Sequence, residues 1–277
     1  DTLLIMSTLK TPLRYPGGKS RAINKISPHI PKDITEYREP FLGGGSVALY
    51  VTQNYDVPVW VNDLYEPLYN FWKYLQSDGE RLSTELADLK TRYHNPDRAR
   101  VLFGECKECL ANTKKSHAAE TGLYRAISFW VVNKCSFSGL TESSSFSPQA
   151  SENNFTMRGI EKLPEYSSLI QKWTITNVSY EELINDGFVY LDPPYDIKDN
   201  LYGKKGSMHR KFDHDRFAAD CAASSANLLV SYNSNQLVRD RFDGWTAIEF
   251  DHTYTMRSTG DYTKDQKDRK ELLLKNY

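Results

Sequence analysis

The sequence lacks the features that mark secreted and membrane-spanning proteins. Four cysteines in 277 residues are too few for a disulfide framework, so a reducing, cytoplasmic setting is expected. No apolar run approaches the roughly 18 to 20 residues that span a bilayer. The opening run Leu3–Met6 is too short for a signal-peptide core. We therefore expect a protein that is neither secreted nor inserted into a membrane.

An excess of one charge and a metal-binding pattern are also missing. Lysine and arginine total 35 against 36 acidic residues, so any nucleic-acid partner must bind to a local basic surface. Cys106 and Cys109 form one Cys-x-x-Cys pair, but no second pair with metal-ligand spacing follows. No metal site is predicted. Aromatic residues are abundant, at 13%, and offer stacking surfaces.

Alternating strand and helix patterns at both ends of the chain predict an α/β fold. A strand-like run precedes Gly43–Gly45, the β-branched run Val57–Val61 ends at Asp63, and Glu66–Leu75 has helical apolar spacing. This order is typical of the start of a Rossmann-like sheet. Strand patterns return later, at Trp173–Val178, Phe188–Leu191, Asn227–Tyr232, Trp245–Tyr254 and Leu272–Tyr277.

The middle of the chain has a different composition. Residues 80–135 are polar and mostly helical in pattern, whereas 136–157 are rich in serine and asparagine without apolar periodicity, which favours loops or a flexible hairpin. We therefore expect one α/β domain, formed by residues 1–85 and 173–277, that is interrupted by an insertion at 86–172.

The sharpest motif is Asp192-Pro193-Pro194-Tyr195, directly after the strand-like run Phe188–Leu191. Chance would produce this tetrapeptide in a chain of this length on the order of once in a thousand. Two prolines fix φ and donate no backbone hydrogen bond, so they form a rigid elbow at the carboxyl end of the strand. Open α/β sheets bind ligands there. By itself the tetrapeptide also fits an ordinary turn.

A second motif, Glu39–Val47 (EPFLGGGSV), contains three consecutive glycines. Glycines allow positive φ and a close approach of a ligand to the backbone. Gly43, Gly45 and Ala48 have the spacing of a loose dinucleotide fingerprint. Asp63 follows at the end of the next strand, where an acid can bind ribose hydroxyls. A tight turn and a helix N-cap are the structural alternatives.

A third motif, Leu13–Ser20 (LRYPGGKS), places a Gly-Gly turn and Lys19 before a helix. It lacks the four residues that separate the glycines of a phosphate-binding P-loop. Alone, it also fits a surface loop.

In this order the three motifs resemble those of the DNA N6-adenine methyltransferases of the Dam and DpnM type (alpha-type, D12 class). The family's motifs are aromatic-x-Gly-Gly-Lys, Pro-Phe-x-Gly-x-Gly and Asp-Pro-Pro-Tyr; here they are Tyr15–Lys19, Pro40–Gly45 and Asp192–Tyr195. Three shorter blocks are also similar: Val61–Asp63, Leu229–Asn233 and Lys270–Leu273. Asn133–Leu140 looks like the family's Asn-x-x-x-x-Asn-Gly segment, with Ser138 in place of the usual Asn.

The resemblance implies a Rossmann-like methyltransferase sheet with an inserted, mostly helical and loop, DNA-recognition domain. It implies S-adenosylmethionine as cofactor and a flipped-out adenine in duplex DNA as substrate. Asp63 would bind the ribose, the backbone of Gly43–Gly45 would line the methionine part, and Tyr15 and Lys19 would close over the cofactor. The full cofactor set implied is Tyr15, Lys19, Phe41, Gly43, Gly45, Asp63 and Asp192.

The catalytic residues implied by the resemblance are Asp192, Pro193, Pro194 and Tyr195. The lone pair of the adenine amine is delocalised into the ring, so a site must localise it. Asp192 and the carbonyl of Pro193 would accept hydrogen bonds from N6, and these contacts strengthen as charge builds in the transition state. Tyr195 would stack on the base. Stacking contributes roughly 1–3 kcal/mol, which helps offset the unstacking of the extruded nucleotide.

DNA requires local basic groups, and two regions of the sequence provide them. Candidate contacts are Arg125, Lys134 and Arg158 in the insertion, and Lys204, Lys205, Arg210 and Lys211 after the catalytic motif. A second basic cluster comprises Arg257, Lys264, Lys267, Arg269 and Lys270. All of these residues also fit solvated loops. The family-like expectation is a monomer on DNA, with a bacterial, phage or viral origin.

Three alternatives stay open on the sequence alone. The same fold can methylate cytosine N4 or an RNA base. A nicotinamide-dependent dehydrogenase would use Gly43, Gly45 and Asp63, but it leaves Tyr15–Lys19 and Asp192–Tyr195 unexplained. A DNA-binding module on an inactive methyltransferase scaffold is opposed by the intact Asp192–Tyr195 motif.

Overall fold

The computed structural model describes residues 8–112, 119–139, 144–196, 212–251 and 270–277. Within these ranges, seven strands form one sheet. They are β1 (Tyr37–Glu39), β2 (Val59–Asn62), β3 (Thr174–Thr176), β4 (Phe188–Leu191), β5 (Asn227–Asn233), β6 (Thr246–Asp251) and β7 (Lys270–Lys275).

The described helices precede the first strand or lie between successive strands in sequence. They are α1 (Ile23–Ile26), α2 (Ser46–Asn54), α3 (Glu66–Arg92), α4 (Pro96–Ala111), α5 (Ala119–Cys135), α6 (Pro148–Asn154), α7 (Met157–Glu161), α8 (Leu163–Leu169), α9 (His214–Ala223) and α10 (Gln236–Arg241). None of the helices in the described ranges is long and apolar enough to cross a bilayer.

The strand order is β3-β2-β1-β4-β5-β7-β6. Strands β1 to β5 are parallel, while β7 is antiparallel to both β5 and β6. Tyr37 of β1 pairs with Val59 of β2 on one side and with Phe188 of β4 on the other. The chain first adds β2 and β3 on one side of β1, and it later returns to add β4 and β5 on the other side. The topological switch point therefore lies between β1 and β4, where ligands bind in open α/β sheets.

The local sequence explains why β4 ends where it does. All four residues of β4 are buried, as in a parallel strand covered on both faces. Pro193 and Pro194 follow immediately and donate no hydrogen bond that could extend the ladder. β4 has the bounds predicted from sequence. The other predicted strands are present with ends shifted by a few residues.

The expectation of loops across residues 136–157 is partly wrong. This segment contains α6 and the beginning of α7. Each helix begins at a side-chain cap: Ser147 accepts a hydrogen bond from the Ala150 N–H, and Thr156 accepts one from the Gly159 N–H. Such caps stabilise short helices without any apolar periodicity, which is why the pattern gave no helix signal here.

Helices α3 to α8 form the middle of the chain. Helix α3 runs through the predicted boundary at residue 85 without a break, although it kinks at Asp78, where φ is −154° and ψ is 64°. Trp72 and Leu86 of this helix belong to the same buried cluster as Phe103 of α4 and Trp130 of α5. The predicted insertion thus shares one core with the sheet, and its exact division from the α/β domain stays a prediction.

Candidate active site

The three sequence motifs meet in one cleft at the switch point of the sheet. The cleft has a volume of about 930 Å³, including its open mouth. The turn before α1, the loop after β1 and the elbow after β4 all border it. The predicted residues that line it are Tyr15, Lys19, Phe41, Gly43, Gly45, Asp63, Asp192, Pro193 and Pro194.

The loop after β1 needs glycine at two positions. Gly43 and Gly45 have φ values of +53° and +75°. A Cβ on Gly43 would lie 2.9 Å from the ring of Tyr15, and one on Gly45 would lie 2.9 Å from the ring of Trp72. Both conformation and space therefore exclude larger residues. The Trp72 indole also fixes the loop, since its N–H donates to the Gly43 carbonyl at 3.1 Å.

Asp63, at the end of β2, holds the same loop from the other side. Its Oδ2 accepts a hydrogen bond from the Gly43 N–H and its Oδ1 accepts one from the Tyr65 N–H, both at 2.9 Å. Burial raises the pKa of Asp63 to about 6, although the two backbone donors oppose the shift. A carboxylate oxygen has two lone pairs, so Asp63 can still accept a further hydrogen bond from a ligand in the cleft.

The segment before Lys19 is a type II β-turn. The Gly18 N–H donates to the Tyr15 carbonyl at 3.0 Å, Pro16 holds the second position and Gly17 has a φ of +71° at the third. This turn sets the ring of Tyr15 against Gly43 and directs Lys19 into the cleft. The motif thus has a defined conformation rather than that of an irregular loop.

Lys19 bridges the cleft to the Asp192–Tyr195 motif. Its side chain is 4% exposed. The ammonium donates to the Gly17 carbonyl at 2.8 Å and to the Tyr195 hydroxyl at 2.7 Å, and its nitrogen lies 3.2 Å from Oδ1 of Asp192. The resemblance placed Lys19 over the cofactor; in the structure these contacts tie it to the residues expected to hold the target base.

Asp192 is partly buried and keeps an available acceptor oxygen. Burial raises the pKa of Asp192 to about 6, and the adjacent ammonium of Lys19 limits the shift. Oδ1 faces that ammonium. Among the described residues Oδ2 has no hydrogen-bond partner, so it can accept a donor that enters the cleft.

Glu39, which lines the cleft, and Glu271, which contacts Tyr195, are two buried carboxyls to which the sequence analysis assigned no role. Glu271 on β7 is 2% exposed and accepts a hydrogen bond from the Tyr195 hydroxyl, with 2.6 Å between Tyr195 Oη and Glu271 Oε2. Glu39, at the end of β1, is also 2% exposed and accepts one from the Tyr37 hydroxyl. Burial raises the pKa of Glu39 well above its usual value, and nearby Asp192 adds to the shift. For Glu271 the available sequence signal was an acidic residue directly before the apolar run Leu272–Leu274.

The described cleft is therefore rich in acidic groups. Glu39, Asp63 and Asp192 line it, and Lys19 is the one lysine or arginine among its described lining residues. A surface of this kind favours a positively charged ligand. The sulfonium and ammonium groups of S-adenosylmethionine are positively charged, and the glycine loop lets a ligand approach its backbone closely. These residues therefore fit that cofactor.

The predicted DNA contacts fall into three groups in the structure. Arg125 forms a bidentate ion pair with Glu66, and Lys134 donates to the Pro12 carbonyl while its ammonium lies 4.4 Å from the centroid of the Trp130 ring. Burial lowers the pKa of Lys134 to about 8. Arg158, on α7, is exposed. The remaining predicted contacts, Lys204, Lys205, Arg210 and Lys211, lie outside the described residues. Their DNA contacts stay predictions.

A polar groove adjoins the cleft and leads towards α6. It shares Tyr15 with the cleft and has an exposed aromatic ring, Phe137, whose side chain is 46% exposed. Its lining is mostly arginine, serine and amide side chains: Arg14, Arg21, Ser138, Ser147, Gln149, Asn153 and Asn154. These groups can donate to phosphate oxygens and to base edges.

Arg14 joins this groove to the end of α5. Its guanidinium donates to the carbonyls of Asn133 and Ser136 at 3.1 and 2.9 Å. The Asn133 side chain in turn accepts from the Arg14 N–H at 3.1 Å and donates to the Arg14 carbonyl. A cation at the last carbonyls of a helix is favourable. The insertion and the turn that begins at Tyr15 are thus held together.

The sheet order and the motifs at its switch point are those of a Rossmann-like methyltransferase. Residues 15–256 match the model of the family described as D12 class N6 adenine-specific DNA methyltransferase, and the chain belongs to that family. It is accordingly an adenine-specific DNA methyltransferase, of a class that takes its methyl group from S-adenosylmethionine. The predicted fold and activity are confirmed, and the dehydrogenase and cytosine alternatives are set aside.

Three curated proteins are similar to this chain. Type II methyltransferase M.MjaIII of Methanocaldococcus jannaschii is 25% identical, over 96% of this chain and 98% of its own length. Type II methyltransferase M.CviBI of Paramecium bursaria Chlorella virus NC1A is 22% identical, over 97% and 100%. Modification methylase StsI of Streptococcus sanguinis is 24% identical, over 72% of this chain and 31% of its own length. The first two similarities include the middle of the chain as well as both ends.

Proposed function

We propose that the enzyme transfers a methyl group to N6 of an adenine that has left the duplex and entered the cleft beside Asp192. The observation that carries this proposal is the geometry of Asp192, which offers an available Oδ2 in the same cleft as the glycine loop and Asp63. One half of the cleft can thus hold the methyl donor, while the other holds the acceptor.

The donor half of the cleft is formed by β1, β2 and α2. Asp63 accepts from the ribose hydroxyls, and the backbone of Gly43–Gly45 lies against the methionine part. The N-terminus of α2, which begins at Ser46, lines the cleft and favours the cofactor carboxylate. Asp192 supplies negative charge near the sulfonium. When bound, S-adenosylmethionine supplies an electrophilic methyl group.

The acceptor half localises the lone pair of the adenine amine. Oδ2 of Asp192 and the Pro193 carbonyl accept hydrogen bonds from the two N6 hydrogens. These bonds strengthen as N6 becomes positive, so they lower the barrier rather than merely bind the base. S-adenosylmethionine would supply the methyl group to the N6 lone pair and keep the electrons of the broken methyl–sulfur bond, and Asp192 would accept the proton that N6 then releases.

The acceptor must leave the helix because N6 is otherwise stacked and paired in the duplex. Extrusion costs a few kcal/mol of stacking and pairing. Stacking on Tyr195 returns roughly 1–3 kcal/mol. The position of the Tyr195 ring is therefore as important for holding the extruded base as the presence of an aromatic ring.

Within the described residues, the polar groove beside the cleft is the surface that we propose binds DNA. Phe137 can stack on an exposed base, while Arg21 and Asn153 can donate to phosphates or base edges. Arg158 and the basic residues 204–211 extend this surface in our proposal. Residues 86–172 then serve as the target-recognition part, and the enzyme acts on DNA as a monomer.

The names of the two full-length relatives include the words Type II methyltransferase. On that basis we propose that this enzyme modifies a short fixed sequence within a restriction–modification setting, in the cytoplasm of its host.

One experiment tests the proposed function as a whole. The protein is incubated with tritiated S-adenosylmethionine and unmethylated genomic DNA, and the product is sequenced by a method that detects modified bases. Label in N6-methyladenine at one recurring sequence is the expected result. Asp192→Ala serves as the control, because it should bind DNA yet transfer no methyl group. Label in cytosine, or only in added RNA, would contradict the proposal.

A further inference from the structure

The hydroxyl of Tyr195 is held from two sides by parts of the chain that are distant in sequence. It accepts a hydrogen bond from Lys19 at 2.7 Å and donates to the carboxylate of Glu271, with 2.6 Å to Oε2. The lysine belongs to the turn before α1, whereas the glutamate belongs to β7. The donor on one side and the acceptor on the other fix the direction of the hydroxyl hydrogen.

The sheet gives Glu271 a rigid platform. Its backbone pairs with Asn233 of β5 and with Phe250 of β6. Side chains alternate along the strand, so Glu271 points to the face opposite Leu272, which packs in the second buried cluster. The carboxylate is therefore fixed at the end of β5, next to the catalytic elbow.

From this geometry we infer that Glu271 is a positioning residue, which fixes the ring of Tyr195 in the orientation that stacks on the target adenine. This inference rests on the proposed role of Tyr195 in stacking. A tyrosine ring turns about two torsions. Hydrogen bonds at its distal oxygen restrain χ1 directly, and they restrain χ2 through the preference of the O–H bond for the plane of the ring. A ring ordered in advance loses less entropy when the base arrives.

Two simpler roles for Glu271 give different expectations. If it only balances the charge of Lys19, then its charge matters and the Tyr195 hydroxyl does not. If it only supports the sheet, then its loss lowers stability without a specific effect on turnover. A positioning role instead requires an acceptor atom at this place and a hydroxyl on Tyr195.

A double-mutant cycle separates these roles. We compare Glu271→Ala, Glu271→Gln, Tyr195→Phe and the double variant Tyr195→Phe/Glu271→Ala. The measurements are kcat, KM for DNA, the dissociation constant of S-adenosylmethionine, and the fluorescence of 2-aminopurine at the methylated position. Glu249→Gln is the matched control, because Glu249 lies on the neighbouring strand β6 and makes its described contacts with Ser234, Arg239 and Lys270.

Glu271→Ala and Tyr195→Phe should each lower kcat by about 10- to 100-fold, as expected for a hydrogen bond to a charged group. Cofactor affinity should stay within about 2-fold, because neither side chain lies in the donor half. Adding Glu271→Ala to Tyr195→Phe should cause little further loss. Glu271→Gln should restore kcat to within about 3-fold of the wild type, since its amide oxygen still accepts from the hydroxyl.

Three results would overturn the inference. The first is a full additional loss from Glu271→Ala in the Tyr195→Phe background. The second is a glutamine variant as inactive as the alanine variant. The third is a folded Tyr195→Phe variant with normal turnover, which decides the matter even if Glu271→Ala does not fold.

Failure of this inference can be told from failure of the proposed stacking. If Tyr195→Ala leaves both methyl transfer and 2-aminopurine fluorescence unchanged, then stacking itself is wrong. If Tyr195→Ala is impaired while Tyr195→Phe and Glu271→Ala are normal, then only the role of Glu271 is wrong.

Discussion

The substitution Asp192→Asn should make the enzyme inactive and, at the same time, more stable at alkaline pH. Burial raises the pKa of Asp192 from an ordinary value of 3.8 to about 6, despite the nearby ammonium of Lys19. An acid with a raised pKa stabilises the fold in its neutral form. That stabilisation is complete below the unfolded-state pKa and is lost as the pH rises through about 6.

The size of the effect follows from the shift. A difference of about two pKa units corresponds to about 3 kcal/mol between the neutral and the ionised form. Asparagine has nearly the shape of the neutral acid and cannot ionise. We therefore expect Asp192→Asn to be more stable than the wild type by about 1–3 kcal/mol at pH 8. The difference should fall to about 1 kcal/mol or less at pH 4.5, where the side chain is neutral in the folded protein but still largely ionised in the unfolded chain.

The assay is thermal or urea unfolding of the cofactor-free protein at pH 4.5, 6 and 8, with methyl transfer measured in parallel. Each kcal/mol should change Tm by about 2–4 °C in a protein of this size. Asp33→Asn is the matched control, because Asp33 is exposed and lies outside the three motifs. A wild type at least as stable as Asp192→Asn at pH 8 would refute the reasoning.

Three further substitutions test other parts of the site. Asp63→Ala should raise the dissociation constant of S-adenosylmethionine at least 10-fold by calorimetry, because Asp63 holds the Gly43 N–H and, in our proposal, accepts hydrogen bonds from the ribose. Unchanged affinity would place the ribose elsewhere. Gly45→Ala should lower the free energy of unfolding by about 2–5 kcal/mol, because alanine is strained at this left-handed position and its Cβ would clash with Trp72. The control Gly104→Ala, at an exposed helical position, should raise the free energy of unfolding by up to about 1 kcal/mol. Ser138→Asn should raise the urea midpoint by an amount equivalent to about 0.5–1 kcal/mol in free energy of unfolding, because Ser138 has a φ of +63° and asparagine tolerates that conformation better. The control Ser138→Ala keeps the strain, so its urea midpoint should not rise.

The sequence allowed the cleft to be predicted because its parts are local. Asp192–Tyr195 is a short motif that ends a buried strand, and the Gly43–Gly45 loop follows another. Parallel strands bring such ends to one edge of a sheet, so the meeting of these motifs follows from the strand order alone. The bounds of β4 were predicted correctly for the same reason.

The partners of the charged residues could not be predicted because they depend on long-range packing. Arg125 and Lys134 look like available cations in the sequence, yet one pairs with Glu66 and the other bonds to the Pro12 carbonyl. The Tyr195–Glu271 contact joins residues 76 positions apart, and nothing in either local sequence specifies it. Composition shows that a charge is present, but only the fold determines its partner.

The position of β7 affects how the enzyme reaches its active form. This strand is the last of the seven in sequence, yet it lies between β5 and β6, and in the described sheet β6 pairs with β7 alone. Before β7 joins the sheet, β6 lacks its partner strand, and the Tyr195 hydroxyl lacks its hydrogen-bond acceptor Glu271. A nascent chain that has emerged from the ribosome only as far as β6 therefore lacks the Tyr195–Glu271 contact and a complete sheet, so we expect DNA modification to begin only after β7 has been synthesised.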